Sequence, residues 1–181
     1  MKFCYANRRM TLYPNSVDPW DLSPEDYTDE FLVKVKDMGF DALEIGSDTL
    51  DKTGGSEKSI LEFGKKIKGF GLDIGCIRSG GTLTEAKNGP ENIKKMDKSI
   101  NYAKITGAEV VNGAISAPIR YPGSPEGSSY ASGTGWIKSQ DSSKEATLWI
   151  YEHLSKIYQK ACDQASDNQI NVSVEIHQNS P

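Results

Sequence analysis

The chain has 181 residues, 36% of them hydrophobic, and a formal net charge of −4. That is the length of one domain with enough apolar material for a core, no apolar run is long enough to span a bilayer, and the acidic balance leaves no electrostatic footprint for nucleic acid. The N-terminus shows no basic segment followed by an apolar one and a cleavage site, so cytoplasm is the expected location.

Short apolar runs predict strands at 2–7, 41–46, 72–77, 109–114 and 170–177, and a helical pattern fills each interval. After the first strand, Ser23 precedes Pro24, Glu25 and Asp26, an N-cap, a proline at the first helical position and acids that suit the positive end of the dipole. Tyr27, Phe31, Val35 and Met38 then form an apolar stripe that Gly39 closes. The next helix starts near Ser56, buries Ile60, Phe63 and Ile67, and stops at Gly69 and Gly71. A third enters through Pro90, carries Ile93, Met96, Ile100 and Ala103, and ends at Gly107. In the fourth, Ser142 with Glu145 three residues on makes a capping box ahead of Ile150, Leu154, Ile157 and Ala161. His153 sits inside that helix and is expected to be an ordinary surface residue. Cys4, Cys76 and Cys162 lie far apart, and buried, reduced thiols are expected rather than disulfides or a thiolate metal site.

The order βαβαβαβαβ implies a parallel sheet, either open and doubly wound or part of a (β/α) barrel. The last predicted strand alternates Asn171, Ser173, Glu175 and His177 with Ile170, Val172, Val174 and Ile176. Successive strand residues face opposite ways, so Glu175 and His177 project together from its C-terminal end. An antiparallel strand with one solvated face would show the same alternation.

Four segments together carry a resemblance: Lys2-Phe3-Cys4-Tyr5, Met38-Gly39-Phe40-Asp41-Ala42-Leu43-Glu44-Ile45, Tyr102-Ala103-Lys104-Ile105-Thr106-Gly107-Ala108, and Val172-Ser173-Val174-Glu175-Ile176-His177. In order and spacing they look like the xylose-isomerase-like TIM barrel superfamily, the sugar phosphate isomerase/epimerase group. The resemblance implies a (β/α)8 barrel of which residues 1–181 form a single partial domain, roughly the first five strands. It also implies a divalent metal at the C-terminal ends of the strands, with Glu175 as its first ligand. The other ligands would come from strands this sequence does not contain, so either the chain is a fragment of a longer enzyme or a second chain completes the barrel. A homo- or hetero-oligomer is expected. Mn²⁺ is the first choice of metal, with Mg²⁺, Co²⁺ or Zn²⁺ as alternatives.

Such a metal would polarise a substrate carbonyl and acidify the neighbouring C–H, the step shared by sugar isomerases, epimerases and lyases that eliminate the aglycone of an oxo-glycoside such as a C-glycoside. His177 is the candidate base, since imidazole titrates near neutral pH; its alternative role is orienting Glu175. Glu44, Arg78 and Asn112 fall at the same rim and are candidates for binding substrate oxygens, although a salt-bridged core carboxylate would explain Glu44 equally well. Gly80-Gly81, beside Arg78, would serve as a phosphate approach or a plain turn. The loop 116–143, rich in Gly, Ser and Pro, belongs on the catalytic face and carries Arg120, Tyr121, Tyr130 and Trp136; Trp136 would stack against a sugar or a flat aglycone, and a disordered insert is the alternative. The expected partner is a small sugar or glycoside, with neither nucleic acid nor membrane. The competing functions are a non-catalytic or partner-dependent subunit of such an enzyme and an abasic-site endonuclease, the latter short of histidines because the chain has two.

Overall fold

The computed structural model describes residues 2–6, 22–80, 83, 89–114 and 147–175, without the side chains of Ala114 and Glu175. Among them, strands β1 (Cys4–Tyr5), β2 (Ala42–Gly46), β3 (Asp73–Ser79), β4 (Val110–Ala114) and β5 (Asn171–Glu175) form one sheet in the order β1-β2-β3-β4-β5, every neighbouring pair parallel. Helices α1 (Asp29–Asp37), α2 (Ser47–Lys52), α3 (Glu57–Gly69), α4 (Gly89–Thr106) and α5 (Leu148–Ser166) fill the intervals. The repeated βα unit read from the sequence is therefore the unit of the fold.

Two helices start on side-chain caps. Thr28 Oγ1 accepts from the Phe31 amide at 3.2 Å and opens α1; Ser56 Oγ accepts from the Ser59 amide at 3.1 Å and opens α3. Ser23, expected to cap the first α-helix, instead precedes a 3-10 turn over Pro24–Asp26, where its amide donates to Asp26 Oδ2 at 2.7 Å. The turn ends because Tyr27 is fully buried, edge-on to Phe31 and Phe63 with ring centroids 5.8 and 5.4 Å apart, which redirects the chain before α1 can begin. Met38, expected on the buried stripe, is 50% exposed because it is the C-cap residue beyond the last turn. The short α2 was not expected. The fourth predicted helix is α5, with Thr147 at its N-cap position; the capping-box residues Ser142 and Glu145 lie outside the described residues.

Leu43 and Ile45 of β2, Ile74 and Ile77 of β3, and Val111 of β4 point to the helices and join Leu32, Val35, Ile60, Ile67, Ile100 and Ala165 in one core. The other face of the sheet is left for polar side chains. The register slips once, between Leu43 and Glu44, so that Gly75 is an extra residue in β3. A Cβ at Gly75 would stand 2.9 Å from Ala42 Cβ, so the strands approach this closely only over a glycine. The cysteines are free, as expected, but Cys4 and Cys162 are exposed rather than buried. Cys162 neighbours the inward-facing Ala161 and points from α5 to solvent, and Cys4 lies on the terminal strand of the sheet.

Candidate functional site at the C-terminal ends of the strands

A parallel sheet brings all its strand C-termini to one rim, and the register arranges the polar face there in levels. Glu44, Cys76, Val110 and Asn171 are consecutive partners at one level, Gly46, Arg78, Asn112 and Ser173 at the next, and Ala114 pairs with Glu175 above them. The alternation that buries Leu43, Ile45, Ile77 and Val111 puts Glu44, Cys76, Arg78 and Asn112 together on the opposite face. Arg78, expected just after the third strand, lies within β3, because that strand continues to Ser79.

Glu44 and Arg78 form an ion pair at 3.4 Å between Oε1 and Nη1, their side chains only 9% and 11% exposed. Glu44 is thus the paired, buried carboxylate that one of its two expectations described, on the same face of the sheet as Arg78. The guanidinium reaches it across Gly46, where a Cβ would come within 3.2 Å of Nη2. That glycine gives Arg78 its path, which sequence inspection missed. Opposite charges close together attract strongly at low dielectric, and the pair leaves this part of the face without net charge. Burial, and then the charge of Glu44, push the Cys76 thiol up to about 12. It is a neutral thiol at physiological pH and a poor nucleophile. Its place was legible two residues before Arg78, on the same alternation.

Asn112 differs from its neighbours. Its Oδ1 is buried and accepts no hydrogen bond from the described residues. Ser47 Oγ, just past the end of β2, is in the same condition.

The backbone of Glu175 ends β5 in register with Ala114 at the rim. Its side chain, all of His177 and Trp136, and the loop 116–143 lie outside the described residues. Among the described residues no three His, Cys, Asp or Glu side chains gather so as to hold a metal ion. The described donors therefore do not make a closed metal site by themselves. His153 is half-buried and stacked on Trp149 of the same helix, centroids 4.9 Å apart and planes 9° from parallel. No described helix is long and apolar enough to cross a membrane.

No protein-family model and no curated protein sequence matches this chain. Solved structures do. A xylose isomerase-like TIM barrel protein from Mycobacterium smegmatis in complex with magnesium superposes with a TM-score of 0.63 at 20% identity, over 88% of this chain and 49% of that one. A 3-keto-D-glucoside 4-epimerase from E. coli gives 0.63 at 14% identity, over 99% and 57%. A D-psicose 3-epimerase with D-tagatose from Clostridium cellulolyticum H10 gives 0.60 at 18% identity, over 97% and 52%. The chain spans about half the length of the structures it matches.

Proposed function

We propose, from the premise that this chain has the fold of the first half of a xylose-isomerase-like (β/α)8 barrel, that it belongs to a divalent-metal-dependent carbohydrate enzyme that removes the proton beside a substrate carbonyl. The observation that carries this is the parallel register that ends β5 on Glu175 at the same rim as Arg78 and Asn112. Solved proteins of this fold include two sugar epimerases and a magnesium complex, which supports both the substrate class and the cation.

Glu175 supplies one carboxylate to the cation, Mn²⁺ first and Mg²⁺, Co²⁺ or Zn²⁺ next, and the remaining ligands lie on strands beyond β5. When bound, such an ion polarises a carbonyl and offsets the negative charge that develops on its oxygen. His177, two residues further in the sequence, takes the proton from the adjacent carbon. Glu44, Arg78 and Asn112 bind sugar oxygens on the polar face, and Trp136 in the loop 116–143 stacks on the sugar or aglycone. Return of the proton to the opposite face gives an epimer, its return to the adjacent carbon gives an isomer, and loss of a group from the next carbon gives a β-eliminated lyase product.

The test is metal analysis of the purified assembly together with deuterium wash-in at substrate carbons. Exchange beside the carbonyl is expected, with Glu175→Gln lowering metal content and His177→Asn sparing the metal while slowing exchange. Full metal occupancy in Glu175→Gln would remove Glu175 from the ligand set, and absence of exchange in a metal-loaded, sugar-binding assembly would remove the reaction class. A second function is a non-catalytic subunit of such an enzyme. It predicts neither metal uptake nor sugar turnover with any co-purifying partner.

A further inference from the structure

Asn112 stands in the middle of the polar face. Arg78 is its partner on one side and Ser173 on the other, and the Arg78 guanidinium extends over Gly46 towards Glu44, on the far side of β3 from Asn112. The amide is thus set between strands at the rim, with its Oδ1 buried and accepting nothing from the described residues. A buried carbonyl oxygen without a donor is costly, and a fold tolerates it where a donor arrives from outside. The donor must carry an O–H or N–H. The neighbouring charges cancel in the Glu44–Arg78 pair, so a neutral hydroxyl suits the place better than an ammonium.

We infer that Asn112 is a specificity-determining residue: its Oδ1 accepts a hydrogen bond from one hydroxyl of a neutral polyhydroxy substrate, so that the site rejects the analogue lacking that hydroxyl. This rests on the carbohydrate function proposed above and adds to it the residue that reads the sugar. An apolar pocket discriminates weakly against a missing or added hydroxyl, whereas a site holding a buried polar atom discriminates strongly, because the deoxy analogue leaves that atom unpaired.

The experiment is calorimetric titration of the full assembly with D-tagatose, D-fructose and a 3-keto-D-glucoside, each beside its singly deoxygenated analogues. The wild-type protein is expected to bind a parent sugar at least about fivefold more tightly than one of its deoxy analogues, the minimum cost of an unpaired buried acceptor. Asn112→Leu should bind both alike, at the affinity of the deoxy analogue, with Tm unchanged or raised because the unpaired oxygen is gone. Asn112→Asp keeps an acceptor of the same shape and should keep the preference. If Asn112→Leu does not fold, Asn112→Ala makes the same comparison. A leucine or alanine variant that retains the wild-type preference would overturn the inference and leave the carbohydrate function standing, since sugar still binds. A wild-type protein that binds none of the three parent sugars would overturn both.

Discussion

The polar face depends on single residues whose roles separate cleanly. Removing one member of the Glu44–Arg78 pair leaves a charge in a site where the side chains are about one-tenth exposed. Arg78→Met is expected to destabilise by about 3 kcal/mol, and the double variant Glu44→Gln/Arg78→Met to recover much of it, because most of the loss is the stranded charge. Urea denaturation of the two variants checks this, and equal losses would show that the stranded charge is not the source of the destabilisation. Gly75→Ala places a Cβ at 2.9 Å from Ala42 Cβ, a contact with no flexible side-chain end to yield. A loss of about 1–3 kcal/mol is expected, again by denaturation. Cys76, with its thiol raised to about 12, should react with iodoacetamide at pH 8 more slowly than glutathione does, which quenched-time mass spectrometry measures.

The elements divide into a C-terminal rim, where the proposed site lies, and an N-terminal end. At the N-terminal end of the sheet Lys2 bridges Glu109 at 3.0 Å and Asp73 at 3.6 Å, while Lys68 meets Asp73 at 2.9 Å. The Lys68 hydrogen bond, followed by the charges of Lys68 and Lys2, holds the Asp73 carboxyl below its usual range. A depressed carboxylate pKa stabilises fully above the unfolded value, roughly pH 4, and that contribution disappears as pH falls through the folded value. Asp73→Asn should therefore lower stability at neutral pH and flatten the curve below about pH 4, converging on the wild type in strong acid, as acid-titrated thermal melts would show. Asp73 is 38% exposed, so screening keeps the effect small, about 0.2–1 kcal/mol, and added salt should shrink it further. At the element starts, Thr28→Ala removes the acceptor for the Phe31 amide and should cost about 1 kcal/mol. The sequence pattern Ser23-Pro24-Glu25-Asp26 puts this start upstream and misses Thr28; the burial of Tyr27 that separates the two is not a local signal.

At the scale of the whole molecule, β2, β3 and β4 are paired on both sides and β1 and β5 on one side among the described residues. Amide exchange should be slowest in the three inner strands, whose opening requires breaking ladders on both flanks, and faster in the outer two. The division of the sheet's two ends follows the polarity of parallel barrels, in which the C-terminal rim carries chemistry and the opposite end carries stability. The Lys2–Asp73–Glu109 contacts at one end and, at the other, the Asn112 oxygen that has no donor among the described residues fit that polarity.

Period and punctuation in the amino-acid sequence were sufficient for the βα repeat, the parallel sheet and the choice of Glu44, Arg78 and Asn112 for one rim, because strand alternation and helix capping are local and act within a few residues. Three things were settled only when the strands came together. The slip at Gly75 depends on contact with Ala42. The pairing of Glu44 with Arg78 spans 34 residues of chain and needs Gly46 between them. The isolation of the Asn112 oxygen is a property of its surroundings, and no pattern along a single strand can record which donors its neighbours withhold.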